Sequence, residues 1–265
     1  MLEILGYLSS LFIGISLGLI GGGGSILTVP VLVYLFGVDP VTATAYSLFV
    51  VGVTSLIGAI PKYRNGMIQM RTAIVFGIPS IISVYLTRRF ILPSIPQQIL
   101  SIGDFDLTKP MFLMLLFSVL MVFASYSMIK GNGKEHDEAP VQSFNYSMIM
   151  LEGLVVGVLT GLVGAGGGFL IIPALVIFTK LDMKKAVGTS LLIIAAKSLI
   201  GFLGDLSHLQ IRWTLLLDIT VLAAIGIIIG NYWSKKMDAK FLKKIFGWFV
   251  MILGIYIIIK ELFLN

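Results

Sequence analysis

The sequence predicts an all-α polytopic membrane protein of two homologous halves, on three observations: its composition, a series of long apolar runs, and an internal repeat. Of 265 residues, 57% are apolar and 12% charged, and the mean hydropathy is +1.02. A water-soluble chain carries about 25% charged residues. Too little polar surface remains for a soluble enzyme, a nucleic-acid binder or a disordered scaffold. The net charge of +6 sits in short loops between apolar runs, where basic residues set membrane orientation rather than form a nucleic-acid patch. Cysteine is absent and the two histidines are His136 and His208, which excludes disulfides, thiolate metal sites and a His-rich centre.

The apolar runs fall at 3–20, 25–36, 41–60, 71–87, 109–129, 147–163, 169–179, 183–203, 212–233 and 241–264. A spanning helix takes about 20 residues, so the chain holds about eight to ten membrane segments and no soluble domain. None of the runs alternates with period two as a membrane barrel strand does, and all read as helices. The N-terminus, MLEILGYLSS, lacks a basic stretch and reads as a retained first helix rather than a cleaved signal. A polar stretch, KGNGKEHDEAPVQS, interrupts the pattern at mid-chain. It divides the chain into a first membrane repeat (1–129), a linker (130–145) and a second repeat (146–265).

Gly18 onward reads GLIGGGGSILTVPVLV and Gly161 onward reads GLVGAGGGFLIIPALV. At a constant offset of 143, Asp39 falls on Asp182, Ala43 on Ala186, Ser47-Leu48 on Ser190-Leu191 and Ser55–Gly58 on Ser198–Gly201; 17 of 41 positions are identical. Shared hydrophobicity does not produce that, so the chain is a tandem duplication. Equivalent loops differ in charge. The loop after the first short helix, GVDPVT, has no base, whereas its counterpart holds Lys180, Lys184 and Lys185. At the next loop Lys62, Arg64 and Arg71 face Arg212 alone. Under the positive-inside rule this alternation predicts inverted halves, with loops 62–70, 130–145, 180–185 and 234–244 in the cytoplasm. Arg88 and Arg89 then fall on the outer side, against the rule.

Functional chemistry concentrates at two glycine runs, Gly21-Gly22-Gly23-Gly24-Ser25 and Gly164-Ala165-Gly166-Gly167-Gly168. Each interior glycine costs a helix about 1 kcal/mol relative to Ala. The short apolar segments that follow contain Pro30 and Pro173. From Ser25 to Phe36 the chain covers only about 18 Å as helix, against a hydrocarbon core of about 30 Å. Each glycine run is therefore expected to break a helix inside the membrane, exposing amides that lipid cannot satisfy. Helix N-termini of this kind suit an anion, and paired broken helices mark a transporter's substrate site. Two alternatives stand. Glycines also serve close helix packing, though packing motifs space them four apart, and half-helix C-termini serve cations.

The expected substrate-binding set is Gly22, Gly23, Gly24, Ser25, Gly166, Gly167, Gly168, Lys197, Ser47, Thr189 and Ser190. Lys197, in LLIIAAKSLIGF, lies deep in an apolar run, where a lysine costs about 2.5–3.5 kcal/mol. Its counterpart is Thr54. It reads as a fixed cation for the anion or for a carboxylate; the alternative is a lysine that snorkels to the interface. Glu152 and Asp218 sit nearly two turns inside their runs, as coupling-proton candidates or partners of Lys197, or as carboxylates at headgroup level. The hydroxyls bond either an oxyanion or the backbone one turn back. Asp205 and His208 read as a short loop, His136 as solvated linker, and Pro61, Pro79 and Pro93 as kinks or helix ends.

The segments GLIGGGGSILTVPVL, EGLVVGVLTGLVGAGGGFLIIPALV and KKAVGTSLLIIAAKSLIGFLGDL resemble the TauE/SafE family of sulfite-exporter-like transporters, over nearly the whole chain. The resemblance implies a multi-pass bacterial inner-membrane permease for a small sulfur-containing or organic anion, such as sulfite, thiosulfate or a sulfonate. Gly21–Ser25 and Gly164–Gly168 match the family's signature runs, and Thr189-Ser190 matches the polar pair after the second. Many members resemble one another in carrying Asn where this chain has Lys197, a departure that bears on substrate charge. The expected mechanism is alternating access at a midplane site between the two breaks; a channel is the alternative reading. No catalytic set such as HExxH and no nucleotide motif GxxxxGK[ST] is present, so neither catalysis nor direct ATP drive is expected. The expectation is no cofactor and no metal. The expected partners are a small anionic substrate, the lipid bilayer and a homo-oligomeric copy, with no nucleic acid.

Overall fold

A computed structural model describes residues 2–102, 105–130, 146–179, 181–234 and 239–263. The linker residues 131–145, with His136, and Lys180, Lys235 and Lys236 lie outside the described residues. Among the described residues, eight helices are long and apolar enough to cross a membrane, and the chain is a polytopic helical membrane protein as its composition predicts. One departure is a small antiparallel ribbon, β1 (Gln98–Ile102) against β2 (Phe105–Thr108). It lies in a connection that the apolar-run reading leaves blank. There Ser101 and Gln98 donate to the Asp106 carboxylate and hold its pKa below the usual range.

The first apolar stretch is not a straight rod. Helix α1 (Leu2–Ile20) ends at Gly21, whose φ of +75° lies in the left-handed region, and a 3-10 segment (Gly21–Leu27) leads into α2 (Thr28–Tyr34). The chain folds back on α1: a methyl at Gly24 would overlap the Leu17 backbone, and one at Gly6 would lie 2.6 Å from the Phe36 ring. Tyr7 and Phe36 stack edge-on at 5.3 Å. The result is a hairpin whose tip is the glycine run. Helix α7 (Tyr146–Val163) and α8 (Gly168–Phe178) form a second hairpin about Gly164, Gly166 and Gly167, at φ of +70°, +63° and +71°.

The remaining helices are α3 (Pro40–Arg64), α4 (Met70–Leu86), α5 (Leu92–Ser94), α6 (Lys109–Lys130), α9 (Met183–Asp205), α10 (Trp213–Trp233) and α11 (Ala239–Phe263). The repeated aspartates explain themselves as caps. Asp39 accepts from the amides of Val41 and Thr42 at the start of α3, and Asp182 accepts from Lys184 at the start of α9, each satisfying orphan helix donors.

Packing follows the 143-residue offset. Gly14 on α1 lies against Ala223 of α10, and Gly157 on α7 against Ser80 of α4. Gly18 meets Gly230, and Gly161 meets Thr87. Small residues let each pair of backbones approach closely. Equivalent helices also pack on each other, in opposite directions. Leu48, Gly52 and Gly58 of α3 meet Gly201, Leu199 and Leu191 of α9, and Met121 and Met128 of α6 meet Gly254 and Gly247 of α11.

Two sequence expectations are corrected. Arg88 is not a loop base: α4 passes into a π-helical turn, Thr87–Ile91, on which Arg88 is fully buried. It sits against Gly204, where a methyl would lie 3.0 Å from its Cβ. It therefore drops out of the loop-charge comparison, in which Arg89 remains at the outer end. Asp205 is not in a loop either, but is the buried last residue of α9.

The tips touch. A methyl at Gly22 would lie 2.5 Å from the Gly168 Cα, and one at Gly168 would overlap Gly22. Gly168→Ala should therefore cost about 3 kcal/mol through overpacking. Gly37→Ala, at φ +62° with nothing within 4 Å, should cost about 1 kcal/mol of left-handed strain. Thermal melting in detergent compares them; equal losses would contradict tight contact between the tips.

Candidate functional site

The site is built where the two hairpin tips meet. Gly21 to Leu27 are all buried, as are Val163 to Phe169, so neither run faces lipid. At Gly22 and Gly168 backbone lies on backbone, which leaves no volume for a ligand between the tips. Any ligand must sit beside that contact.

The tips are chemically unequal, against the expectation of two matched amide cradles. The first run coils into a 3-10 helix, whose i to i+3 bonds consume most of its amides. Ser25 Oγ turns back to the Gly22 carbonyl at 2.8 Å. The second run is an open bend. Gly164 donates to Thr160 O and Gly167 to Ala165 O, and the ladder of α8 resumes when Leu170 and Ile171 donate to Gly167 O. Gly168 and Phe169 begin α8, so their N–H groups have no partner inside the helix. The positive end of an eleven-residue helix therefore rests at the second tip.

Lys197 reaches the same place. It is fully buried, and its Nζ donates to Thr160 Oγ1 at 2.8 Å. A methyl on Gly167 would come within 2.9 Å of that nitrogen, so glycine makes room for the ammonium. The side chain does not snorkel. An ammonium has three donors, and among the described residues no carboxylate lies within ion-pair distance of it. Glu152 is half-buried and Asp218 is exposed on the outer face of α10; neither joins Lys197.

The hydroxyls divide. Ser47 is buried and its Oγ has no hydrogen-bond partner among the described residues. Its counterpart Ser190 donates to Val187 O at 2.9 Å, and Thr189 accepts the Gln69 amide at 3.0 Å. Thr189 thus ties α9 to the α3–α4 loop instead of facing a ligand. Ser55 and Ser198, equivalent positions, are buried with free hydroxyls.

Sequence reasoning missed Thr160, Thr44, Arg88 and Asp205. Arg88 Nη1 lies 3.4 Å from Asp205 Oδ2 and donates to Thr44 Oγ1 at 3.0 Å, and the Thr44 backbone presses on Gly164. The Arg-Arg pair following an apolar run looked like a loop border. Nothing in its spacing signals the π-turn that turns Arg88 inward. Thr160 had one available signal, its position seven residues before Gly167, two turns back along the helix that leads into the break. Among the described residues no group of three His, Asp or Glu side chains forms a metal site.

The sequence is similar to known proteins over nearly its whole length. Residues 7–257 match the family model described as Sulfite exporter TauE/SafE. A protein of Xylella fastidiosa, named a probable membrane transporter protein, is 30% identical over 253 residues, covering 93% of this chain and 91% of its own. YdhB of Bacillus subtilis, also named a probable membrane transporter protein, is 27% identical over 235 residues, covering 87% and 90%. No solved structure matches.

Thr160→Val should remove the lysine's acceptor and destabilise the fold by about 1.5–3 kcal/mol, the worth of a hydrogen bond to a charged group. Lys197→Met should instead raise the melting temperature, because a buried charge without a counterion is replaced by an apolar chain of similar length. A melting series in detergent reads both signs, and a destabilised Lys197→Met would mean that the ammonium is better satisfied than its single bond indicates.

Proposed function

The chain belongs to the TauE/SafE sulfite exporter family of membrane transporters, and on that premise we propose that it carries a small anion, a sulfur oxyanion or organosulfonate, by alternating access at the seat beside the two glycine tips. The observation that carries this reading is Lys197: a fully buried ammonium with one hydroxyl partner, set against Gly167 at the N-terminus of α8. Fixed positive charge and helix-end amides meet there. An anion in that seat supplies the acceptors that the protein leaves out.

The mechanism rests on two inverted repeats, residues 1–129 and 146–265, joined by a linker. Antiparallel packing of α3 on α9 and of α6 on α11 supports inversion, because equivalent helices related by an axis in the membrane plane must run in opposite directions. The register of α3 on α9 sets Thr54 opposite the turn that carries Lys197. Counterparts that meet lie near such an axis, which supports a lysine near mid-depth. Loop contacts support the orientation. Gly188 at the start of α9 adjoins Met67 and Lys62, so loops 62–70 and 180–185 share one end. Exposed Arg64, Lys184 and Lys185 lie at that end, and the positive-inside rule makes it cytoplasmic. Rocking of one repeat on the other about the tip contact opens the seat to each side in turn.

Uptake of labelled sulfite, thiosulfate and methanesulfonate into proteoliposomes tests the reading. Wild type should show saturable uptake of at least one of them. Lys197→Ala should lower uptake by about ten- to hundredfold, the equivalent of one charge-assisted hydrogen bond. Undiminished uptake by Lys197→Ala would overturn the site assignment, and single-channel currents would replace the carrier with a pore.

A further inference from the structure

Arg88 is the second fully buried cation among the described residues, and its engagement is lopsided. One nitrogen, Nη1, faces both Asp205 Oδ2 at 3.4 Å and Thr44 Oγ1 at 3.0 Å. Nε and Nη2 have no hydrogen-bond partner among the described residues, and neither has the neighbouring Thr87 Oγ1. The Nε–Nη2 edge is the fork that fits two oxygens of a carboxylate, sulfite or sulfonate. A carboxylate bracing this part of the fold would occupy that edge at about 2.7–2.9 Å. Asp205 instead stands off the far nitrogen. Both partners are at least 95% buried, so the open edge is not simply turned to bulk water.

We propose that Arg88 is a second oxyanion station, at which the ligand takes the guanidinium edge that Asp205 leaves open. The proposal deepens the anion-carrier reading above and rests on it. The station lies toward the end of the bundle opposite the basic loops: Arg89, the next residue, contacts Ser207 and His208 in the α9–α10 connection. It is linked to the first site along α9. Lys197, Gly201 and Asp205 recur every fourth residue on one helix face, so the stations are separated by about 12 Å of rise. Val84 and Leu48, packed on Gly201, form the apolar partition between them. The second tip touches both, Gly167 at Lys197 and Gly164 at Thr44, the acceptor of Arg88. A ligand leaving Lys197 outward meets Arg88 next. Asp205 keeps the guanidinium from trapping the ligand, since the carboxylate repels the anion that it admits.

The test is binding of sulfite, thiosulfate, methanesulfonate and chloride to the purified full chain by calorimetry, with Arg88→Lys, Asp205→Asn, Lys197→Ala and the double variant Arg88→Gln/Asp205→Asn. Arg88→Lys keeps the charge and loses the fork. It should raise Kd for the oxyanions about tenfold while changing chloride, which cannot use a fork, by less than about threefold. Asp205→Asn removes the competing charge and should lower the oxyanion Kd by about threefold or more. If Arg88→Lys does not yield folded protein, Asp205→Asn decides alone. Oxyanion affinities within twofold of wild type in Asp205→Asn would overturn the proposal. So would single-variant losses that track melting temperature and are restored in the double variant, because a structural brace behaves that way. Loss of binding in Lys197→Ala with Arg88→Lys silent would sink this inference alone; absence of oxyanion binding in wild type would sink the carrier reading as well.

Discussion

The structure depends on one contact, backbone against backbone at Gly22 and Gly168. Two apolar hairpins can meet tip to tip only if neither carries a side chain there, and each chain reversal needs left-handed backbone that glycine alone adopts without strain. Once the tips are fixed, the rest follows in pairs. Helix α1 seats on α10 and α7 on α4, with glycines at matching positions. The remaining equivalents, α3 with α9 and α6 with α11, close against each other. A water-soluble protein would gain hydrophobic energy from such packing. In lipid, close approach of small residues has to supply it instead.

Against this near-symmetry, the charges stand out as one-sided. Lys197 occupies the position of Thr54, whose hydroxyl merely closes onto Val50 O at 2.7 Å. The second tip is an open bend where the first is a hydrogen-bonded 3-10 helix. Among the described residues the two fully buried cations both adjoin the second tip, Lys197 directly and Arg88 through Thr44. Burying a lysine and an arginine in a membrane protein is costly, and the anion proposed to visit both would give a reason to keep them. On this proposal the duplication supplied the scaffold, and divergence of one copy supplied the chemistry.

Much of this was legible in the residues. Apolar run lengths gave the spans, consecutive glycines the breaks, and a lone lysine in an apolar run the buried cation, because each rests on a local cost that lipid enforces. The aspartates at 39 and 182 were visible as a repeat but not as helix caps. What stayed hidden depends on contacts between distant elements. The inward turn of Arg88 needs a π-turn and the absent side chain of Gly204. The partner of Lys197 is a threonine on another helix rather than either carboxylate that its charge suggested. The unequal fate of Ser47 and Ser190 arises from their neighbours, since the two positions are identical in sequence.

We propose that equivalent hairpins enter the membrane from opposite faces and meet in the middle. The chain has no cysteine, so single cysteines can be placed at the exposed outer ends of the hairpins, at Gly37 after α2 and at Met183 after α8, and labelled with a membrane-impermeant thiol reagent in vesicles of known sidedness. Gly37→Cys should react only from the external face and Met183→Cys only from the cytoplasmic face. Labelling of both from the same side would contradict it.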